Sequence, residues 1–142
     1  MITTNSEPVI PGLFPEPKSI TILAGETDLS TDVRLVTSNV LPLQRKAMRG
    51  ILTGAGIRVV ANKKRYVIEA KVEPEDEFDF PDIPQTAKDE YYELEVQGSM
   101  IFIRTPSQSG ALWATQTLGG IYRAFGLGST IPNMVIKDWP CM

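Results

Sequence analysis

The sequence predicts an α+β domain, a two-layer sandwich with a mostly antiparallel sheet and two helices packed on one face. Seven short segments carry strand signals, and two longer segments space apolar residues three and four apart, as helices do. The 142 residues are one domain by size. Because two helices cannot cover both faces of a seven-stranded sheet, we expect one face to lack helices.

The chain is predicted to begin with an extended leader over residues 1–17, followed by a single domain over residues 18–142. Proline fixes φ and lacks a backbone donor, so a proline-rich stretch does not form a regular element. The leader contains five prolines and glycines: Pro8, Pro11, Gly12, Pro15 and Pro17. After it, residues 19–23 predict a strand, residues 25–28 a turn and residues 33–37 a second strand.

A first helix is predicted to follow, with Pro42 in its first turn and Ser38 or Asn39 as the N-cap. We expect it to end at Gly54 or Gly56. Its apolar stripe is Ala47, Met48, Ile51 and Leu52.

Residues 57–61 and 66–72 predict a β-hairpin whose turn holds the basic cluster at residues 63–65. Residues 73–90 then change in character, with eight acidic residues and three prolines. They lack the spaced ligands and central glycine of a calcium-binding EF-hand loop. We therefore interpret them as a surface loop or insertion.

A second hairpin is predicted from residues 91–96 and 100–104, since both arms alternate and the turn between them is short. The last helix starts at Thr105 or Ser107 and ends at Gly126. Its stripe is Ala111, Ala114, Leu118, Ile121, Tyr122 and Phe125. Residues 133–137 form the final short strand. Gly119 and Gly120 lie inside this helix, which predicts close packing there rather than a phosphate site.

The composition excludes several classes of chemistry. The chain has no histidine and a single cysteine, Cys141, which excludes Ser-His-Asp and Cys-His nucleophile systems, an internal disulfide and a thiolate zinc cluster. The net charge of −3 argues against a nucleic-acid partner, and no apolar run is long enough for a membrane span. We predict no catalytic, cofactor-binding or metal-binding residue in this chain.

Two further patterns have both a functional and a structural interpretation. Glu93 and Glu95 lie on one face of a strand, with Glu69 on the neighbouring hairpin, and paired carboxylates can perform acid–base chemistry on a glycoside. Exposed strand faces look the same, and we favour that interpretation. Trp113 and Trp139 can form a sugar platform, but Trp113 is flanked by core positions on a helix, so we expect it to be buried.

A set of residues in the second hairpin, the last helix and the final strand is specific: Tyr91, Leu94, Val96, Ile101, Ile103, Gly110, Gln116-Thr117-Leu118, Ile131-Pro132 and Ile136-Lys137-Asp138 with Pro140. This set resembles the N-terminal α/β domain of glycoside hydrolase family 20, the β-N-acetylhexosaminidases. The resemblance runs from about Phe14 to the end of the chain. Its most specific parts are the Gln-Thr-Leu block and the Asp138-Trp139-Pro140 segment.

The resemblance implies a zincin-like fold without a metal site, placed before a (β/α)8 catalytic barrel that is absent from this chain. It implies that the parent enzyme is a glycosidase that hydrolyses terminal N-acetylhexosamine residues with substrate-assisted retention. The catalytic residues would belong to the barrel. The resemblance also implies a periplasmic, cell-surface or secreted location.

The function that we expect is therefore that of a non-catalytic accessory domain, whose partner is the barrel of the same polypeptide. The residues that we expect at this contact are Ile136, Trp139, Pro140, Leu127, Ile131 and Pro132. An isolated domain would expose an apolar patch there, so we also expect a homodimer.

Two alternatives stay open. The first is a carbohydrate-binding module with an exposed row of aromatic side chains, for which Tyr66, Tyr91 and Tyr92 are candidates. The second is a stand-alone protein-interaction domain.

Overall fold

The computed structural model describes residues 18–62 and 66–139. Within these residues it has three helices, α1 (Pro42–Gly54), α2 (Gln85–Lys88) and α3 (Gln108–Phe125), and one turn of 3-10 helix at Glu75–Glu77. The strands are β1 (Ser19–Asp28), β2 (Asp32–Ser38), β3 (Arg58–Val59), β4 (Val67–Val72), β5 (Tyr92–Gln97), β6 (Met100–Thr105) and β7 (Thr130–Asp138). The predicted leader, the basic turn at residues 63–65, Pro140 and Cys141 lie outside the described residues.

The strands form one seven-stranded sheet in the order β1-β7-β5-β6-β4-β2-β3. The pairs β1–β7, β7–β5 and β5–β6 are antiparallel, whereas β6–β4, β4–β2 and β2–β3 are parallel. Apolar residues from the two long helices α1 and α3 and from one face of the sheet share a single core. The predicted α+β sandwich with a mostly antiparallel sheet is thus confirmed, because the antiparallel strand pairs join more residues than the parallel ones, which the prediction did not include.

The first predicted hairpin is wrong. β3 and β4 do not pair with each other, because β2 lies between them and pairs in parallel with both. β3 pairs only with the first two residues of β2, at Asp32 and Val33, and β4 begins opposite the next residue, Arg34. The end of β3 and the start of β4 are therefore at the same level of the sheet, so a short connection suffices.

The second predicted hairpin is confirmed. β5 and β6 pair from Gln97↔Met100 outward, and the turn consists of Gly98 and Ser99. Both turn residues have positive φ, 60° and 72°, as a two-residue turn of type I′ requires.

Two predictions in the N-terminal half of the chain, a turn and an N-cap, are wrong. Residues 25–28 do not form a turn, because β1 continues through a bulge between Ile22 and Glu26 in which Gly25 has φ +89°. The N-cap of α1 is Leu41 rather than Ser38 or Asn39. No side chain caps α1, but the Leu41 backbone N–H donates to Gln108 Oε1 at 2.9 Å, which ties the start of α1 to the start of α3.

The helices α1 and α3 lie side by side, with their first turns adjacent and Gly119 of α3 facing Ala55 and Ile51. Ser107 is the N-cap of α3, as predicted, and accepts from the Gly110 N–H at 3.0 Å. Gly110 has no space for a side chain, because a Cβ there would lie 1.9 Å from Thr105 Oγ1 and 2.6 Å from the Tyr91 carbonyl oxygen. This glycine brings α3 directly onto the ends of β5 and β6.

Candidate functional site

The end of β7 is tied to the rest of the domain by a network around Asp138, which is only 5% exposed. Asp138 Oδ1 accepts from the Lys18 backbone N–H at 3.1 Å and lies 3.8 Å from Lys18 Nζ. The Tyr92 hydroxyl donates to Asp138 Oδ2 at 3.4 Å, and Thr117 Oγ1 lies 2.5 Å from that hydroxyl. We call Lys18, Tyr92, Thr117 and Asp138 the exit network, because the chain leaves the sheet here.

The exit network joins four elements: the residue before β1, the first residue of β5, the end of β7 and the middle of α3. Burial raises the pKa of Tyr92 above its usual range, and the neighbouring carboxylate of Asp138 raises it further. Tyr92 therefore stays neutral and can donate to Asp138. Thr117 and Asp138 belong to the two most specific blocks of the family resemblance, and the structure brings them to one tyrosine.

Next to this network, four aromatic rings pack together. Tyr91 stacks on Trp139 with ring centroids 6.1 Å apart, and it meets Phe80 and Phe78 edge-on at 5.0 and 6.0 Å. Lys18 Nζ lies 5.5 Å from the Trp139 ring. We call Phe78, Phe80, Tyr91 and Trp139 the aromatic cluster. Through Phe78 and Phe80, the cluster holds the acidic segment against the end of the sheet where β7 ends.

Arg104 is the second attachment of the acidic segment. Its guanidinium donates to Glu73 Oε1 at 2.7 and 2.9 Å and to Glu93 Oε1 at 3.0 Å, and it lies 4.7 Å from the Phe78 ring. The segment is largely exposed, as predicted, but Phe78 is buried. The alternating acidic and aromatic residues at positions 77–80 indicated this attachment, because two phenylalanine side chains in a fully solvated loop would both be exposed to water.

Those residues predicted to contact a barrel that the structure describes do not form one surface. Ile131 and Ile136 are fully buried in the core of the domain itself, and Pro132 is half-buried in β7. Trp139 belongs to the aromatic cluster, whereas Leu127 is 43% exposed and lies against Gly56 beyond the other end of β7. A nine-residue strand spans roughly 30 Å, so Trp139 and Leu127 cannot share a small patch.

The sequence analysis missed most of the exposed apolar side chains. Leu41 and Leu43 at the start of α1 are 55% and 73% exposed. Trp113 on α3, which we expected to be buried, is 37% exposed. Together with Leu127 these side chains belong to the layer of α1, α3 and the loop after α3, which we call the helix layer. Leu41 precedes α1 and Leu127 follows α3, so neither belongs to a helical stripe that the sequence could show.

The predicted row of exposed tyrosines is wrong. Tyr91 and Tyr92 are both 0% exposed, since one lies in the aromatic cluster and the other in the core. Tyr66 is half-buried with φ +60°. Phe102 is half-buried on the face of the sheet opposite to α1 and α3, which we call the helix-free face.

Phe102 lines a groove of about 320 Å³ on the helix-free face. The strand register places Glu69 of β4 on one side of Phe102 and Glu95 of β5 on the other. The groove is lined by Glu69, Lys71, Glu73, Glu95, Phe102, Ile103 and Arg104.

Glu93 and Glu95 lie on one face of β5, as predicted. Glu93 accepts from Arg104 and, at 2.7 Å, from the Tyr91 hydroxyl, so both of its oxygens are used in attaching the acidic segment. These bonds favour the structural interpretation of Glu93. Among the described residues, no three His, Cys, Asp or Glu side chains are grouped so that they could hold a metal ion. Within residues 18–62 and 66–139, no helix is long and apolar enough to span a bilayer.

Comparison with known proteins agrees with the resemblance seen in the sequence. The family model described as glycosyl hydrolase family 20, domain 2, matches residues 10–139. No curated protein matches the chain.

Several solved structures share the fold. An exo-β-N-acetylglucosaminidase of family 20 from Vibrio harveyi, in complex with N-acetylglucosamine, is 17% identical with a TM-score of 0.66, over 96% of this chain and 20% of that one. The β-N-acetylhexosaminidase from Bacteroides fragilis is 18% identical with a TM-score of 0.58, over 89% and 24% of the two chains. A protein named CpGH84D is 14% identical with a TM-score of 0.65, over 96% and 24%. The chain thus spans about a fifth to a quarter of the length of these structures.

Proposed function

We propose that this chain, which belongs to glycosyl hydrolase family 20 as its domain 2, is a non-catalytic accessory domain. In the parent protein it supports the catalytic barrel of a β-N-acetylhexosaminidase. The observation that carries the proposal is the match over residues 10–139, combined with the small share of each similar structure that the chain covers. In this proposal the parent protein hydrolyses terminal N-acetylhexosamine residues with substrate-assisted retention, and it acts in the periplasm, at the cell surface or outside the cell.

The surface that we assign to the barrel contact is the helix layer. Of the five large hydrophobic side chains that are exposed in the described part of the chain, four lie on this layer. They are Leu41, Leu43, Trp113 and Leu127. The groove on the opposite face of the sheet is lined mainly by charged side chains. Covering apolar surface contributes about 25 cal/mol per Å², so a barrel on the helix layer would stabilise both parts of the protein.

Only some of the contact residues expected from the sequence are kept in this proposal. Leu127 is part of the helix layer and is retained. Pro132, Trp139 and Pro140 stay predictions, while Ile131 and Ile136 no longer contribute, because their side chains have no exposed surface.

The exit network has a separate role in the proposal. By binding Asp138 through Lys18 and Tyr92, it fixes the direction in which the chain leaves β7. A fixed exit would hold the following domain in one orientation relative to the helix layer, since fewer residues are then free to move.

The test is a pair of substitutions in the full-length parent enzyme. Leu43→Glu places a charge in the proposed contact, and we expect a lower melting temperature and a lower yield of active enzyme. Ile22→Glu is the matched control, because Ile22 is also an exposed aliphatic residue, at 45%, but lies on β1 outside the helix layer. Equal effects of the two substitutions on the parent enzyme would contradict the proposal.

We also predict that the isolated chain forms a homodimer through the helix layer. Sedimentation at increasing concentration measures it directly. We expect Leu43→Glu to weaken self-association and Ile22→Glu to leave it unchanged; a monomer at every concentration would contradict the prediction.

A further inference from the structure

We propose that the groove around Phe102 binds a hexosamine residue whose amino group is free and therefore positively charged, as part of a glycan chain. The inference rests on the proposed function in one respect: with the barrel on the helix layer, the helix-free face of the sheet stays open to solvent. No aromatic or charged residue of this groove belongs to the surface assigned to the barrel.

The first argument is the position of Phe102 between two carboxylates. In the strand register, Phe102 of β6 is directly opposite Glu69 of β4 and Glu95 of β5. Directly opposed side chains on neighbouring strands lie about 5 Å apart at Cβ, so both carboxylates flank the ring. An aromatic face flanked by carboxylates attracts an organic ammonium group through both its ring and its charges.

The second argument is the charge balance of the groove. Glu73 is neutralised by Arg104 at 2.7 Å, and Glu69 lies 3.8 Å from Lys71. Glu95 has no ion pair or hydrogen bond with any residue in the described ranges 18–62 and 66–139. The unmatched charge of the groove is therefore negative and lies beside Phe102.

The third argument is that the groove has two chemically different ends. Lys71 lies on the same face of β4, two residues beyond Glu69, so a donor lies at one end of the groove and the unmatched acceptor at the other. Arg104, which is opposite Lys71, is used by Glu73 and Glu93. A hexosamine offers an ammonium group, a flat apolar ring face and hydroxyl groups, and these fit Glu95, Phe102 and Lys71 respectively. The volume of about 320 Å³ is at the lower end of the range for small-molecule sites, about 300–1,000 Å³.

The experiment titrates the 142-residue chain with a tetrasaccharide of glucosamine, and in parallel with a tetrasaccharide of N-acetylglucosamine, by calorimetry at a mildly acidic pH. We expect binding of the first sugar only, weakened by added salt because the ammonium group carries the attraction. Glu95→Gln keeps the size of the side chain and removes its charge, and we expect about a tenfold loss of affinity. Phe102→Leu keeps an apolar floor without the ring and should also weaken binding.

The matched control is Glu26→Gln, which removes one negative charge from an exposed position on β1 and should leave affinity unchanged. Equal binding of both sugars, or no binding of either at millimolar concentration, would overturn the inference. So would an oligolysine peptide that competes at equal concentration, because the groove would then recognise basic peptides rather than a sugar. None of these outcomes affects the Leu43→Glu test of the barrel contact, which concerns the other face of the domain.

Discussion

The hydroxyl groups of Tyr92 and Thr117 lie 2.5 Å apart and connect the start of β5 to the middle of α3. Because Tyr92 donates to Asp138, the Thr117 hydroxyl is left to donate to Tyr92. The two residues come from segments far apart in the sequence, and their bond gives the Gln-Thr-Leu block of the family resemblance a physical role.

This bond predicts a difference between two substitutions at one position. Thr117→Val keeps the shape of the side chain but removes the hydroxyl, which leaves the buried Tyr92 oxygen without its closest partner. We expect a loss of about 1–2 kcal/mol in the free energy of unfolding, measured by urea denaturation. Thr117→Ser retains the hydroxyl and should lose much less. Equal losses would mean that the methyl group of Thr117, rather than its hydroxyl, matters.

A second prediction concerns two glycines of α3. Gly110→Ala places a Cβ within 2.6 Å of the Tyr91 carbonyl oxygen and closer still to Thr105 Oγ1, so the helix must move away from the sheet. We expect a loss of about 3 kcal/mol, as for an overpacked core.

Gly119→Ala is the control for this prediction. Its Cβ would lie 3.4 Å from Arg123 Nη1, the end of a flexible side chain, and 3.7 Å from Ala55 Cβ. Alanine is also the better helix former by about 1 kcal/mol. We expect this variant to be as stable as the parent or more so. Thermal unfolding of the two variants side by side is the measurement, and a stable Gly110→Ala variant would contradict the close approach.

A third prediction concerns alkaline pH. Burial raises the pKa of Tyr122 to about 12, against about 10 for an unfolded chain. The folded state therefore keeps the proton longer, so this contribution to stability is complete below pH 10 and is lost as the pH rises toward 12. Two pKa units correspond to about 2–3 kcal/mol.

Urea denaturation at a series of pH values from about 8 to 11.5 measures this loss. In Tyr122→Phe the fall in stability above pH 10 should be shallower, because no proton is released at this position. Parallel curves for the two proteins would show that other groups cause the alkaline loss.

Local signals in the sequence predicted the elements well where they act within a few residues. The alternation of residues 91–104 and the glycine of the turn specify a hairpin by themselves, because the strands are adjacent in the chain. The start of α3 at Ser107 was predictable for the same reason. The failed hairpin between β3 and β4 shows the limit, since two suitable strands with a turn between them can each pair more favourably with a third strand, here β2.

The exposure of individual side chains was also beyond what local sequence signals could predict. Tyr91 and Tyr92 looked like an exposed pair, but Tyr92 occupies the helix-facing position of β5 and Tyr91 is covered by Phe78, Phe80 and Trp139. Which face of a strand is covered depends on where the helices pack, and that depends on the whole sheet. For the same reason, the position of Phe102 between Glu69 and Glu95 could not be predicted from the sequence.

The sequence by itself determined the fold class, the family and the positions of most strands and helices, because period, caps and turn residues act over short distances along the chain. It also determined that histidine chemistry is absent, which is a matter of composition. Only the tertiary structure decided that β2 separates β3 from β4, that Tyr92 joins Thr117 to Asp138, and that Glu69, Phe102 and Glu95 lie side by side. These relationships depend on strand order and register, which are set by the burial of all the elements together and not by any one segment.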